Sequence, residues 1–171
     1  MDALLYLLPL TALVAGLLPP TQVVDQMSQA MAHKMFECAR EMYPGVGFVR
    51  EILDFWNMEY DFSRNEPLGC LQACSVHRLQ LRDADGALNL ANIRQFILTH
   101  GGDEETVETL TKVLERCHLA SRNTTRACSA GVKEMQCFRN RVYELRWVPD
   151  VQFGPYDNIW SAGNKGPPSR I

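Results

Sequence analysis

Cysteine and histidine are the side chains here that could hold a metal, and Cys70, Cys74 and His77 follow one another at spacings of four and three residues. On a helix these spacings place the three side chains on one face, where they could bind zinc. A structural zinc site needs a closed tetrad from tight clusters, whereas the other cysteines and histidines are scattered. The chain also lacks a Gly-rich phosphate loop, a nucleophile elbow and an H-E-x-x-H motif. We therefore expect no metal, no catalytic residues, no cofactor and no enzymatic activity.

Residues 1–21 are typical of a secretory signal peptide, and we expect cleavage between residues 16 and 25. The segment carries no charge after Asp2, and Val14-Ala15-Gly16 supplies the small residues that precede a cleavage site. The alternative is a hydrophobic N-terminal anchor. The apolar run is broken by Pro9 and is shorter than the roughly 20 residues that a membrane-spanning helix needs, which favours the signal peptide.

The six cysteines behind this leader predict a disulfide framework formed in an oxidising compartment. Their number allows about fifteen pairings, and spacing alone does not choose among them. One pair is disfavoured, because Cys70 and Cys74 lie one helical turn apart. Their Cβ atoms would be roughly 5 to 6 Å apart, whereas a disulfide needs about 3.5 to 4.5 Å. Each must bond elsewhere, so the helix that carries them is tied to two other parts of the chain.

The apolar periodicity predicts an all-α domain of about six helices over residues 22–150, and no strand pattern competes with it. With 171 residues and 46% hydrophobic content, the chain suits one core rather than two. Residues 151–171 are rich in Gly and Pro, so we expect a loose or extended tail. The predicted helices span residues 26–43, 48–59, 67–79, 89–100, 103–121 and 127–146.

The cysteine spacing resembles that of the insect odorant-binding proteins. Successive cysteines are separated by 31, 3, 42, 10 and 8 residues. Further motifs resemble the moth pheromone-binding and general odorant-binding branch, and the resemblance covers roughly residues 27–150. These motifs are Phe55-Trp56, Leu88, His100-Gly101, Cys137-Phe138 and Trp147-Val148-Pro149.

The resemblance implies a hydrophobic cavity inside helices stapled by three interlocked disulfides. The implied pairs agree with the argument against a bond between Cys70 and Cys74. They are Cys38 with Cys74, Cys70 with Cys128, and Cys117 with Cys137.

The resemblance also implies a secreted, extracellular carrier that reversibly binds small hydrophobic odorant or pheromone-like molecules. Its location would be the sensillum lymph if the protein is olfactory, with an olfactory receptor as a candidate partner and no stable membrane insertion. The net charge of −3, with charges of both signs interspersed, argues against nucleic acid. The alternative is a secreted six-cysteine helical lipid-interacting or signalling protein of another class, such as a saposin-like module. Saposin-like chains lack the three-residue cysteine gap.

Aromatic residues at matching positions line the ligand cavity in the family, although plain core packing is the alternative for such residues. Met31 stands where moth members usually carry a phenylalanine, and Val76 stands where they carry a serine that hydrogen-bonds the ligand. Without that serine, either another donor serves or the preferred ligand is more apolar. The implied ligand-binding residues are Met31, Phe55, Trp56, Val76, Phe96, Met135 and Phe138.

Ligand release should depend only weakly on acidic pH. In moth members a histidine pair helps to gate the pocket, and the matching residues here are Asn89-Leu90, which do not titrate. Gly154 and Pro155 oppose the C-terminal helix that displaces ligand at low pH in those proteins. His100 remains as a group that could restore some sensitivity.

Two surface features complete the expectations. Arg139 and Arg141 flank Phe138 and are expected to face solvent rather than the ligand. Asn123-Thr124-Thr125 is an acceptor sequon in a polar loop, so Asn123 is a candidate for glycosylation.

Overall fold

The computed structural model describes residues 17–149, and within them the fold contains six α-helices and no strand apart from one isolated bridge. The predicted all-α class is confirmed. The predicted tail, residues 151–171, and most of the predicted leader lie outside the described residues. The helices are α1 Pro20–Met42, α2 Val49–Leu53, α3 Glu66–Arg78, α4 Leu90–Thr99, α5 Glu104–Ser121 and α6 Ala127–Glu144, with a 3₁₀ turn over Asp54–Trp56.

Three of these helices begin at a side-chain cap. The side chains of Asn65, Asn89 and Asp103 each accept a hydrogen bond from the backbone N–H three residues later. Such a cap satisfies one of the N–H groups that the first turn leaves without a partner. The predicted starts of α4 at Asn89 and of α5 at Asp103 follow from this local chemistry.

Two predicted helix boundaries were wrong. The first helix begins at Pro20 rather than near residue 26, because Pro20 suits a first helical position and Val23 and Val24 are fully buried. The second helix was expected to continue to residue 59, but it ends as a 3₁₀ turn at Trp56. The Asn57 side chain accepts a hydrogen bond of 3.0 Å from the Glu59 N–H, which offers the backbone an alternative to the helix.

Helix α3 packs between α1 and α6, while α5 packs on α6 and α4 packs on α5. The contact between α3 and α6 is backbone against backbone at two glycines. A Cβ atom on Gly69 would lie 1.9 Å from the Cys128 carbonyl oxygen, and one on Gly131 would lie 2.5 Å from the Gly69 oxygen. No other residue fits at either position without separating the helices.

Three disulfides join the helices, and they are the pairs that the resemblance implies. Cys38–Cys74 links α1 to α3, Cys70–Cys128 links α3 to α6, and Cys117–Cys137 links α5 to α6. Helix α3 is therefore tied to two other helices, as its cysteine spacing predicts. Each bridge stabilises a fold of this kind by roughly 2 to 4 kcal/mol, chiefly by restricting the unfolded chain.

The buried side chains form two clusters rather than one continuous core. The first includes Met35, Leu68 and Met135, and the second includes Val76 and Ile93. Met31 and Phe55 pack against both clusters. Because side chains from both clusters line a single cavity, that cavity lies where the two clusters meet.

Candidate functional site

The cavity has a volume of about 140 Å³, and its wall is largely apolar. Four methionines and four aromatic residues supply much of that wall. They are Met27, Met31, Met35, Met135, Phe55, Trp56, Phe96 and Phe138.

All seven residues that the resemblance implies for ligand binding line this cavity. Met31 comes from α1, Val76 from α3 and Phe96 from α4. Phe55 and Trp56 lie in the 3₁₀ turn, while Met135 and Phe138 come from α6. The structure therefore brings together residues spread over more than 100 positions of sequence. Their role in binding a ligand stays a prediction.

Trp56 gives the cavity one fixed wall. Its indole Nε1–H donates to Ser28 Oγ at 3.1 Å, and that hydroxyl donates to the Val24 carbonyl at 2.6 Å. The Tyr143 hydroxyl donates to the Trp56 carbonyl oxygen from α6. The Phe55 ring meets the indole edge-on with centroids 4.8 Å apart, and the Phe138 ring lies 6.2 Å away. These contacts fix the aromatic wall in one arrangement.

The methionine side of the wall is more adjustable, with one exception. Ser75 is fully buried, and its Oγ lies 3.0 Å from Met31 Sδ and 2.9 Å from the Gln72 carbonyl oxygen. Ser75 does not itself line the cavity, but its hydroxyl can restrain the Met31 thioether. Unbranched, polarisable methionines can otherwise change rotamer to fit different shapes.

Three polar residues of the wall were not predicted from the sequence. They are Arg82, His118 and Glu134. Glu134 Oε1 accepts hydrogen bonds from His118 Nδ1 at 3.0 Å and from Ser121 Oγ at 2.7 Å. Its Oε2 accepts from Arg82 Nη2, while Arg82 Nη1 donates to the Gly86 carbonyl at 3.2 Å. The only available signal was that Glu134 lies one helical turn before Phe138. Ser28, Glu51 and Gln72 are the remaining polar residues of the wall.

Arg139 was expected to face solvent, and that expectation was wrong, because only 6% of its surface is exposed. Its Nη1 lies within hydrogen-bonding distance of the carbonyl oxygens of Phe55 at 3.1 Å, Asn57 at 3.1 Å and Tyr60 at 3.0 Å, which share its two N–H groups. The guanidinium carbon lies 4.4 Å from the centre of the Phe62 ring. Burial lowers the pKa of Arg139 from its ordinary value. Arg139 thus holds the segment that carries the aromatic wall, whereas Arg141 is exposed and pairs with Glu144 at 2.6 Å.

His100 lies beside the cavity rather than in its wall. Its ring is 4.4 Å from the Phe96 ring, and its Nδ1 is 2.7 Å from the Phe96 carbonyl oxygen. Asn89 caps α4 and Leu90 is exposed, and neither side chain has an ionisable group. Asn123 is exposed between α5 and α6, and its glycosylation stays a prediction.

All six cysteines are in disulfides, so Cys70 and Cys74 are not thiolate ligands beside His77. Over residues 17–149 the structure contains no group of three or more side chains placed to hold a metal ion. Within the same range no helix combines the length and apolar character required to cross a membrane.

Comparison with known proteins gives a consistent result. The sequence matches the model of the PBP/GOBP family over residues 21–141. It is 23% identical over 134 residues to Pheromone-binding protein 2 of Epiphyas postvittana. This match covers 78% of this chain and 80% of that protein. The crystal structure of Epiphyas postvittana Pheromone Binding Protein 3 superposes with a TM-score of 0.61 at 24% identity. That match covers 68% of this chain and 98% of the other.

Proposed function

Because the chain belongs to the PBP/GOBP family, we propose that it is a secreted carrier that binds a small hydrophobic odorant or pheromone-like molecule reversibly and without chemistry. The observation that carries this proposal is the apolar cavity of about 140 Å³ inside three disulfides. Cross-links stabilise the fold without filling its centre, so apolar helix faces are free to surround a ligand. Family membership disfavours the alternative of a six-cysteine lipid-interacting or signalling protein of another class.

The size of the cavity limits the ligand. Apolar cavities near 150 Å³ accept a molecule of about the size of benzene, whereas pockets for larger ligands are usually about 300 to 1,000 Å³. A small volatile compound therefore fits the cavity as it stands. A longer chain requires the wall to move, and the methionines are the side chains that can do so at least cost.

We assign the binding role to the seven implied residues, Met31, Phe55, Trp56, Val76, Phe96, Met135 and Phe138. The relatives named above are pheromone-binding proteins, which supports a volatile ligand and an extracellular site of action. An olfactory receptor is the candidate partner if the protein is olfactory.

Displacement of the fluorescent probe N-phenylnaphthylamine tests the proposal; its three aromatic rings exceed the size of benzene, so its binding requires the methionine side of the wall to move. We expect a monomer with one saturable site from which hexanol, hexanal and other small volatiles displace the probe. Protein reduced under denaturing conditions is the control for the folded cavity. Binding to lipid vesicles without any saturable probe site would contradict the carrier function and support the alternative class.

A further inference from the structure

We propose that Arg82, His118 and Glu134 form a polar subsite in the cavity wall that receives a neutral, oxygen-bearing end group of the ligand, an alcohol or an aldehyde. This inference rests on the proposed carrier function. It answers the question raised by Val76, which lines the cavity at the position of the serine found in moth members. The hydrogen-bonding group of this protein would then lie elsewhere on the wall.

The subsite is assembled from three separate elements. Arg82 follows α3, His118 lies near the end of α5, and Glu134 lies in the first half of α6. The exposed side-chain fractions are 23% for Arg82, 21% for His118 and 13% for Glu134. Charged groups are expensive to bury unless they are paired and hydrogen-bonded, and Glu134 has both an ion pair and two further donors. The network is therefore a built site rather than a chance meeting of surface side chains.

This network keeps hydrogen-bonding capacity that a ligand can use. A guanidinium has five N–H groups, and the bonds to Gly86 and Glu134 engage only two of them. His118 uses Nδ1 toward Glu134, so Nε2 is the ring nitrogen left for another partner. A ligand hydroxyl can accept from Arg82 and donate to a neutral His118, whereas an aldehyde oxygen can only accept.

The charges favour a neutral end group over a carboxylate. Arg82 and Glu134 compensate each other within one ion pair, so the subsite offers no unpaired positive charge. A bound carboxylate would bring a second buried anion next to Glu134 and raise the desolvation penalty. Neutral oxygen groups avoid this penalty and still gain hydrogen bonds to a charged donor.

The rest of the ligand would extend along α6 toward the aromatic wall. Phe138 follows Glu134 by one helical turn, which is a rise of about 6 Å. A short aliphatic chain whose oxygen is held by Arg82 and His118 beside Glu134 can therefore extend toward Phe138 and Trp56, whose ring centroids lie 6.2 Å apart.

A double variant tests the assignment. In Arg82→Met/Glu134→Met both charges are replaced together by apolar side chains, so neither is left unpaired. We measure displacement of N-phenylnaphthylamine by hexanol, hexanal, hexane and hexanoate. Because a hydroxyl must shed water in any cavity, the informative quantity is the affinity ratio of hexanol to hexane in each protein. We expect this ratio to fall about tenfold in the double variant.

The matched control is Arg94→Met/Glu104→Met, which removes an exposed ion pair between α4 and α5 that does not line the cavity. We expect this control to keep the native ratio. An unchanged ratio in a folded Arg82→Met/Glu134→Met protein would overturn the subsite and leave the carrier function intact. Failure of the probe and of all four compounds to bind the native protein would instead overturn the carrier function.

A measurement on the native protein decides the matter if the double variant does not fold. Intermolecular nuclear Overhauser effects from the carbinol protons of bound hexanol should reach the ring protons of His118. If the carbinol protons instead show Overhauser effects to the Phe55 and Trp56 rings alone, the end group lies at the aromatic part of the wall. That result would refute the assignment.

Discussion

Replacing Arg139 by methionine should destabilise the protein by about 3 kcal/mol. Its Nη1 lies 3.0 to 3.1 Å from three carbonyl oxygens, but one nitrogen has only two N–H groups, so the equivalent of two hydrogen bonds is lost. Hydrogen bonds to a charged group contribute about 1.5 to 3 kcal/mol each. Water can reach the exposed Asn57, and a guanidinium no longer has to be buried, so the loss falls at the low end of that range.

Thermal unfolding followed by circular dichroism at neutral pH measures this effect. A loss of about 3 kcal/mol corresponds to a decrease in Tm of roughly 10 °C for a domain of this size. Methionine has a similar length and keeps the packing against Phe62, which isolates the contribution of the charge and its hydrogen bonds. Probe binding should weaken as well, because Arg139 holds the carbonyl of Phe55 in the cavity wall.

Arg141→Met is the matched control, since Arg141 belongs to the same helix and pairs with Glu144 at the surface. Exposed pairs of this kind contribute about 0 to 1 kcal/mol, so its Tm should change by no more than a few degrees. Equal melting temperatures for the Arg139 and Arg141 variants would refute the view that Arg139 organises the segment after α2.

Three further predictions concern the cavity and the N-cap of α5. Phe138→Ala should weaken probe binding more than it lowers Tm, because Phe138 lines the cavity; unchanged binding with a large loss of stability, about 3 to 5 kcal/mol for a packed phenylalanine, would make it a core residue instead. Titration of the bound probe from about pH 7 to pH 5, the range of imidazole protonation, should leave most of the affinity, because Asn89 and Leu90 do not titrate and His118 is the one imidazole in the described wall; loss of most of the affinity with an intact circular dichroism spectrum would reveal an acid-sensitive element, at His118 or elsewhere. Asp103→Ala should lower Tm at neutral pH, because hydrogen bonds from Thr106 lower the pKa of the Asp103 carboxyl. That contribution is present above the carboxyl's ordinary pKa and is lost as the pH falls, so melts at about pH 7 and pH 3 should show the gap between the two proteins closing.

The helices that sequence predicted best are those whose ends are set by neighbouring residues. Asn89 and Asp103 cap the helices that they precede, so the starts of these helices can be predicted from neighbouring residues alone. The error in the predicted end of the second helix also has a local cause. Phe55 and Trp56 continue the apolar spacing of a helix, but the Asn57 side chain accepts a hydrogen bond from the backbone and the helix ends there. Periodicity reports which side chains are buried, and a 3₁₀ turn can bury them too.

The polar contacts of the cavity could not be predicted in the same way. Arg82 and Glu134 are 52 positions apart, and their pairing depends on the tertiary contact between the segment after α3 and helix α6. Arg139 follows a cavity residue, yet its direction is decided by the carbonyl groups of a loop some 80 residues earlier. A long cationic side chain beside an apolar stripe can either extend into solvent or be buried. The tertiary fold decides which of the two occurs.

The positions of the cross-links have a consequence for how a guest molecule reaches the interior. Helices α1, α3, α5 and α6 carry all six cysteines, so each is tied covalently to another, and α3 and α6 also pack backbone against backbone at Gly69 and Gly131. Helices α2 and α4 have no covalent tie, although Ile52 and Phe96 on them face the cavity. Thermal fluctuations that open a protein are cheapest where the fewest restraints act. Entry and exit should therefore depend on transient displacement of α2 or α4, while the cross-linked helices remain a rigid shell, and amide hydrogen exchange should be faster in those two helices than in α3 and α6.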